Sequence, residues 1–285
     1  MKKLLLLLAF ASVPAAAFSQ AANPLWHEEK ITNYLPHMTW PEVQALRART
    51  DMVIIPIAAM EQHALHLPIG TDFLNGLERA KLIAQKAAVL VAPILLPGNS
   101  PYHMEFPGTI TLSSQTIQQV YFEAAQSLIR HGFTRFLLLN SHGGNDLKPL
   151  LRELYGKTTV NIFLCNWYTA IGELKSEIFT HPDDHAGEME TSFGLAYFPD
   201  LVGRNADGTL IADDGKVAKS RFEAVNKGWI SITRPWHLLT TNSGSGYPHE
   251  ATAEKGRKLI DVVVQRLSPF LVELSAAKLD EKFPF

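Results

Sequence analysis

At 285 residues, 46% hydrophobic and 19% charged, the chain is long enough for a substantial core and is composed like a globular protein. A formal net charge of −2 without a basic stripe argues against nucleic acid as a partner. The single cysteine, Cys165, excludes an internal disulfide, which leaves the core, metal and association as sources of stability.

The chain opens on Met1-Lys2-Lys3, an apolar stretch from Leu4 to Ala11, and the small residues of Ala15-Ala16-Ala17-Phe18-Ser19-Gln20. That is the layout of a secretory signal. The apolar stretch falls short of the ~20 residues that span a bilayer, and Pro14 interrupts it. The expectation is a signal peptide over residues 1–19 and a single domain over residues 20–285. The mature chain is then secreted or periplasmic, without stable membrane insertion.

Apolar runs of strand length follow at Met52 to Ala58, Val89 to Leu95, Arg135 to Leu139 and Val160 to Cys165. Cys165, inside the last run, reads as a buried structural thiol. Between the runs, Phe73 to Ala88 and Gln115 to His131 carry apolar residues at helical spacing, the second ending in Gly132, a good helix stop. Strand–helix alternation with fully apolar strands predicts an α/β fold with a buried, mostly parallel sheet covered on both faces. Arg204 to Gly246 is rich in Gly, Asp and Asn and reads as an excursion carrying loops. A closing helix is expected over Ala253 to Leu274.

Three segments carry the chemistry. Glu61-Gln62-His63, with Asp72 beyond the Pro68-Ile69-Gly70 turn, follows the first strand. Asn140-Ser141-His142-Gly143-Gly144-Asn145 follows the third, and its glycines are expected to open a helix whose free amides could hold a developing negative charge. Asp184-His185-Ala186-Gly187-Glu188-Met189-Glu190-Thr191 forms the last cluster. Ligands in parallel sheets gather at the carboxyl ends of strands, where the first two segments lie. Glu61 and His63 alternate along an extended segment, so they suit two ions better than one. Asp72, at a helix start, can use both oxygens as a bridge. On a helix begun by Glu188, Glu190 lies about 200° away, so one can bind metal while the other packs, orients a histidine or handles protons. Taken singly, a histidine after a strand is ordinarily a surface residue, and an Asp at a helix start is ordinarily a cap. Gathered on one rim, however, these carboxylates would repel each other without cations. The set supplies donors for two divalent metal ions, an arrangement suited to hydrolysis. With mixed nitrogen and oxygen ligands, Zn2+ and Mn2+ are both expected.

At these residues the chain resembles the creatininase (creatinine amidohydrolase) family. The resemblance runs from about Asp51 to Lys258. Glu61-Gln62-His63-Ala64-Leu65-His66-Leu67-Pro68 with Thr71-Asp72 is similar to the first metal motif, and Phe106-Pro107-Gly108-Thr109-Ile110 to a conserved turn. The segments around His142 and His185 resemble the second and third motifs, and Ala251-Thr252-Ala253-Glu254-Lys255-Gly256 the C-terminal signature. The resemblance implies a three-layer α/β/α sandwich, a two-metal centre, hydrolysis of a non-peptide C–N bond in a small-molecule substrate, and a homo-oligomer, commonly a hexamer. It implies one metal on Glu61, Asp72 and His142, and the other on His63, Asp72 and Glu190. His185 and Glu188 become candidates for positioning or protonating the leaving nitrogen, a structural cap being the alternative for Glu188. Creatininases carry a ligand glutamate two residues after the counterpart of His142. Here Gly144 stands there, as in formamide hydrolases and peptide-processing members, where the later glutamate completes the site. The expected function is therefore hydrolysis of a cyclic amide or formamide. The alternatives are a peptide-trimming metalloenzyme of the same fold and a metal-containing binding protein without turnover. His103 could line the pocket, a structural role explaining it equally well, and Trp167 and Tyr168 could stack on a ring, though aromatic packing is the more frequent explanation for such residues. His66, His181, Trp236 and His237 carry no assignment.

Overall fold

The apolar runs become four strands: β1 (Met52–Ile57), β2 (Leu90–Val91), β3 (Arg135–Asn140) and β4 (Asn161–Asn166). All are parallel, in the spatial order β2-β1-β3-β4. The computed structural model describes residues 29–158 and 160–284. Ile31–Phe285 forms one compact unit; of the other, Met1–Lys30, only Glu29 and Lys30 are described. The expected signal over residues 1–19 thus lies outside the described residues. Among those residues, no helix is long and apolar enough to cross a membrane.

Alternation along the strands feeds two cores. Met52, Ile54, Leu137 and Leu139 face one side, Val53, Ile55, Ile57, Phe136 and Leu138 the other, and all are buried. Helices α1 (Trp40–Arg47), α3 (Ser114–Arg130) and α4 (Lys148–Leu154) cover the second face through Leu46, Ile117, Tyr121 and Leu150. Helices α2 (Thr71–Ala87), α7 (Glu188–Tyr197) and α10 (Ala253–Ala276) cover the first through Ala80, Ile83, Phe193, Leu259 and Val263. Short helices α5 (Trp167–Ile171) and α6 (Lys175–Ile178) precede α7; α8 (Glu223–Asn226) and α9 (Trp236–Leu239) follow it. The result is the expected three-layer α/β/α arrangement.

Two local differences have physical causes. The run Val89 to Leu95 yields only the two residues of β2, because Pro93 and Pro97 remove backbone donors a strand would need. Pro56 sits in the central strand β1 without penalty. Its missing N–H faces the same side as Ile54, whose carbonyl accepts from Ala92, and on that side β2 has already ended. Helix α10 is capped by Thr252, whose hydroxyl accepts from the Lys255 amide at 3.1 Å. Its Gly256 lets α7 approach closely: a Cβ there would lie 2.0 Å from the Ser192 carbonyl oxygen.

Candidate metal centre

The carboxyl ends of β1 and β3 and the first turns of α2 and α7 meet at one buried rim. Asp72 is in the first turn of α2 and Glu190 in that of α7. Glu61 is 2% exposed, His63 1%, Asp72 2%, His142 5% and Glu190 9%. These five form two groups whose donor atoms lie within 4.8 Å of one another, Glu61–Asp72–His142 and His63–Asp72–Glu190. Asp72 belongs to both.

The contacts are spaced as ligands of ions would be. His142 Nδ1 lies 3.2 Å from Asp72 Oδ2, whereas its Nε2, 3.4 Å from Glu61 Oε2, donates to the Asn99 carbonyl at 3.0 Å, so Nδ1 is the nitrogen left for an ion. His63 Nε2 lies 3.6 Å from Asp72 Oδ1 and 3.7 Å from Glu190 Oε2. Around a tetrahedral ion with bonds of about 2.0–2.2 Å, neighbouring donors stand about 3.3–3.6 Å apart. Glu61 Oε2 and Asp72 Oδ2 are buried and, among the described residues, accept no hydrogen bond. His63 Nδ1 donates to the Glu61 carbonyl at 2.9 Å, which fixes its tautomer and turns the Nε2 lone pair toward two carboxylates. A lone pair facing carboxylates is repulsive unless positive charge lies between them. The donor set therefore fits two divalent cations.

The electrostatics agree. Burial alone would lower His63, but Glu190 and Asp72 outweigh it and push the ring up to about 10. Burial likewise opposes the charged form of His142, and Glu61 and Asp72 raise it to about 9. Burial lifts Glu61 and Glu190 above the ordinary carboxylate range. For Asp72 burial acts upward too, yet the facing His142 and His63 rings hold it well below that range. The rim demands positive charge at two points.

Hydrogen bonds hold the histidine turns. Asn140 Nδ2 donates to the His142 carbonyl at 2.7 Å, and Asn145 Nδ2 joins Asn140 Oδ1 to the Ala58 carbonyl, each at 3.1 Å. Ser141 Oγ reaches the Ile57 and Asp72 carbonyls, both at 2.9 Å, tying β3 to α2. Contrary to expectation, the Gly143-Gly144 turn does not open a helix: α4 starts at Lys148, where Pro149 sets the first turn. Gly144 serves close approach instead. A Cβ there would lie 2.0 Å from Tyr102 Oη and 2.4 Å from His142 Nε2, so Tyr102 occupies the space a side chain would need.

Behind the ligands stands a second layer. The Ala64 amide donates to Gln62 Oε1 at 2.9 Å, which leaves Gln62 Nε2 facing the Ser243 carbonyl at 3.0 Å and His103 Nδ1 at 2.6 Å. His185 Nε2 donates to the Gln62 carbonyl at 2.7 Å, and its Nδ1 lies 3.5 Å from Glu61 Oε1. Burial, with the charge on His63, holds His185 well below its ordinary range, so this ring is neutral. His103 is lowered to about 3, mainly by burial. The Trp236 ring lies 4.6 Å from that of His103 and 4.9 Å from that of His185.

These residues open onto a cavity of about 350 Å³, walled by Tyr102, Trp167, Tyr168 and Trp236, with Lys175, Asp183 and Arg234 also on it. Burial, aided by the charge of Glu190, pushes the Asp183 carboxyl up to about 7. Glu188 is not brought to the cavity. Its carboxylate pairs with Lys255 and accepts from the Thr180 amide at 2.9 Å and the His181 amide at 3.4 Å. The helical offset from Glu190 turns it away, so its position supports a structural role, tying the Thr180–His181 loop and Lys255 to the start of α7, and not proton transfer. Tyr102, Asp183 and Arg234 escaped the sequence reading, as did the role of Trp236. Asp183, two residues before His185, is the one the motif itself could have flagged.

A parallel α/β sheet with a buried donor set that shares one aspartate at its carboxyl edge is a frame suited to a metal-dependent hydrolase. The model of the creatininase family, described as creatinine amidohydrolase, matches residues 36–271. The chain belongs to the creatininase family, amidohydrolases acting on carbon–nitrogen bonds. It is 30% identical over 261 residues to the creatinine amidohydrolase of Pseudomonas putida, covering 84% of this chain and 96% of that one. It is 29% identical over 178 residues to the 3-dehydro-scyllo-inosose hydrolase of Thermotoga maritima, covering 59% of this chain and only 57% of that relative. It is 26% identical to the mycofactocin precursor peptide peptidase of Mycobacterium ulcerans, over 81% of this chain and 86% of that one. Among solved structures, a candidate creatinine amidohydrolase from Bacteroides fragilis superposes with a TM-score of 0.76 at 30% identity, covering 89% of this chain and 100% of that one. A manganese creatininase, at 22% identity and a TM-score of 0.72 over 87% and 100% of the two chains, shares the fold.

Proposed function

We propose that the protein is a two-metal amidohydrolase that cleaves a non-peptide C–N bond, in a cyclic amide or formamide, of a small molecule. The observation that carries this reading is Asp72, whose two oxygens face separate histidines in separate donor sets. Glu61, Asp72 and His142 would hold one ion, and His63, Asp72 and Glu190 the other. Bound there, zinc or manganese would polarise a carbonyl and lower the pKa of water.

The chain's own groups supply the rest. His185, neutral and fixed by its Nε2–H on the Gln62 carbonyl, presents Nδ1 as a hydrogen-bond acceptor that positions the attacking water or the leaving nitrogen; a ring held so far below its ordinary range is a poor store for the proton itself. Trp167 and Trp236, almost fully buried, exclude solvent from the cavity, and the more exposed Tyr168 offers a ring face to a flat substrate. The cavity volume suits a small molecule better than an extended peptide. The reading includes export, on the residues preceding Gln20, and assembly as a homo-oligomer.

The test is metal content of the purified protein, then turnover across lactams, formamides and short peptides. Two ions per chain and turnover of a lactam or formamide are expected. Fewer than about one ion per chain after adding zinc or manganese would contradict the two-metal reading. Turnover of peptides alone would assign the protein to peptide trimming, and full metal without turnover to ligand binding.

A further inference from the structure

Two cations stand on the cavity wall, Lys175 and Arg234, and they are held differently. The Arg234 guanidinium pairs with Asp184, also on the wall, and lies 4.8 Å from the centroid of the Trp236 ring. Its charge is answered within the protein. Lys175, at the start of α6, is half-buried and donates from Nζ to the Asp183 carbonyl at 3.0 Å. That bond fixes the ammonium beside the segment leading into His185 and leaves two of its three N–H donors. Among the described residues no carboxylate pairs with it. Glu173 goes to Arg266, Asp184 to Arg234, and the Asp183 carboxyl accepts from the Met189 amide. Lys175 favours the ionised form of Asp183 without pairing with it.

A lysine in open solvent needs no partner. This one differs in place, being tethered on the wall of a cavity whose other charges are matched. Arg234 balances Asp184, and the carboxylates of Glu61, Asp72 and Glu190 answer the two ions proposed for them. An anchored ammonium with free donors in a partly enclosed site is a seat for an anion, because water and salt screen it less than at an open surface. Lysine acts there as a point charge, which suits a compact anion. The cavity of about 350 Å³ is at the small end of ligand sites and has room for a small ring with a short substituent.

We propose that Lys175 is a specificity-determining residue and that the substrate is a cyclic amide or formamide carrying a carboxylate, which Lys175 binds while the C–N bond lies at the metal centre. The proposal rests on the amidohydrolase reading above and narrows its substrate class. A separate seat matters because a carboxylate would otherwise be drawn to the ions and displace the amide. Lys175 gives the acid its own place and so sets which end of the molecule meets the centre.

The test measures the binding of two matched pairs by calorimetry. One is a lactam pair, pyroglutamate and pyroglutamamide; the other is a formamide pair, N-formylglycine and N-formylglycinamide. Within each pair the acid and its neutral amide differ in charge and hardly in shape. Zinc-loaded wild type, Lys175→Met and Lys175→Arg are compared. Wild type should bind the acid of at least one pair about tenfold or more tightly than the amide. Lys175→Met should reduce that ratio by about tenfold, and Lys175→Arg should keep most of it. A residue that only props the wall would weaken acid and amide alike and leave their ratio where it was. An unchanged ratio in Lys175→Met, equal binding of acid and amide by wild type, or no binding of either pair overturns the proposal. If Lys175→Met does not fold, Lys175→Gln takes its place under the same criterion, and failure of both to fold overturns it as well. Ion content of the same samples is read separately. Wild type without zinc overturns the two-metal reading, and the ratio is then read on the metal-free protein, whose cavity wall keeps Lys175.

Discussion

The candidate ligands Glu61, Asp72, His142 and Glu190 follow strand ends or begin helices, whereas Trp236 and Arg234 reach the same cavity from the excursion over residues 204–246. The first group is braced by sheet register and by paired asparagines. The second belongs to a segment whose regular structure amounts to two four-residue helices and isolated bridges. There Trp229, Ile230, Ile232 and Leu238 are exposed, while Trp236 is 1% exposed. Rigid elements thus fix where charge sits, and the looser segment fixes what shape fits beside it. The division is the usual one between scaffold and selective loop.

If the division holds, variants of the two regions should fail differently. The largest effect is expected from Asp72→Ala, which removes a ligand shared by both ions. Turnover should fall by more than the roughly 10–100-fold typical of outer partners, and metal content should fall with it. Retention of two ions per chain would contradict the bridge. Trp236→Ala, in the excursion, should cost about 3–5 kcal/mol of stability and weaken substrate binding while metal content stays at wild type. Loss of metal there would erase the distinction.

A smaller effect concerns His66, which is buried and bonded through Nε2 to Thr191 Oγ1 at 2.7 Å. Burial, with the charges of His63 and His249, lowers it to about 4 from an ordinary 6.5. The folded state thus prefers the neutral ring. Its contribution is full above pH 6.5 and disappears as the pH falls from there through about 4, a change of about 3 kcal/mol. Denaturant unfolding at pH 7 and pH 4.5 should show a smaller loss in His66→Gln than in wild type; equal losses would sink the assignment. The smallest effect is expected from Glu188→Gln, which weakens the hold on Lys255 and the Thr180 and His181 amides. It should cost about 1–3 kcal/mol and leave turnover intact. A stable variant without turnover would return Glu188 to catalysis.

The same contrast explains what the sequence disclosed. Parallel strands covered by helices are continuous apolar runs, so all four were visible, even β4, which is only half-buried at the sheet edge, and only the prolines after β2 shortened one. The residues that converge at the rim were readable because histidine and acid beside glycine or proline at strand ends are unusual together. Glu188 and Glu190 were separable by helical angle alone. Trp236 and Arg234 were not legible, since no periodicity links a loop to the cavity it reaches. Nor was the burial of Arg79: in Glu78-Arg79-Ala80-Lys81 that residue looks like part of a solvated face, and only packing between α2 and α7 and the rings of Trp167 and Phe193 enclose it.

The Gln62 side chain has a consequence for how hydrogen is distributed behind the ligands. The Ala64 amide, in a turn with Ala64 at φ 53°, settles which end of the carboxamide is oxygen. The NH2 end then supplies His103 Nδ1, so that ring must carry its own hydrogen on Nε2, 3.5 Å from Glu61 Oε1. The Gln62 main-chain carbonyl makes the opposite demand on His185, whose hydrogen sits on the nitrogen remote from Glu61. Two rings beside one carboxylate oxygen are thus preset as a donor and an acceptor, and the polarity of that pair is written in a short loop that belongs to neither ring's own segment.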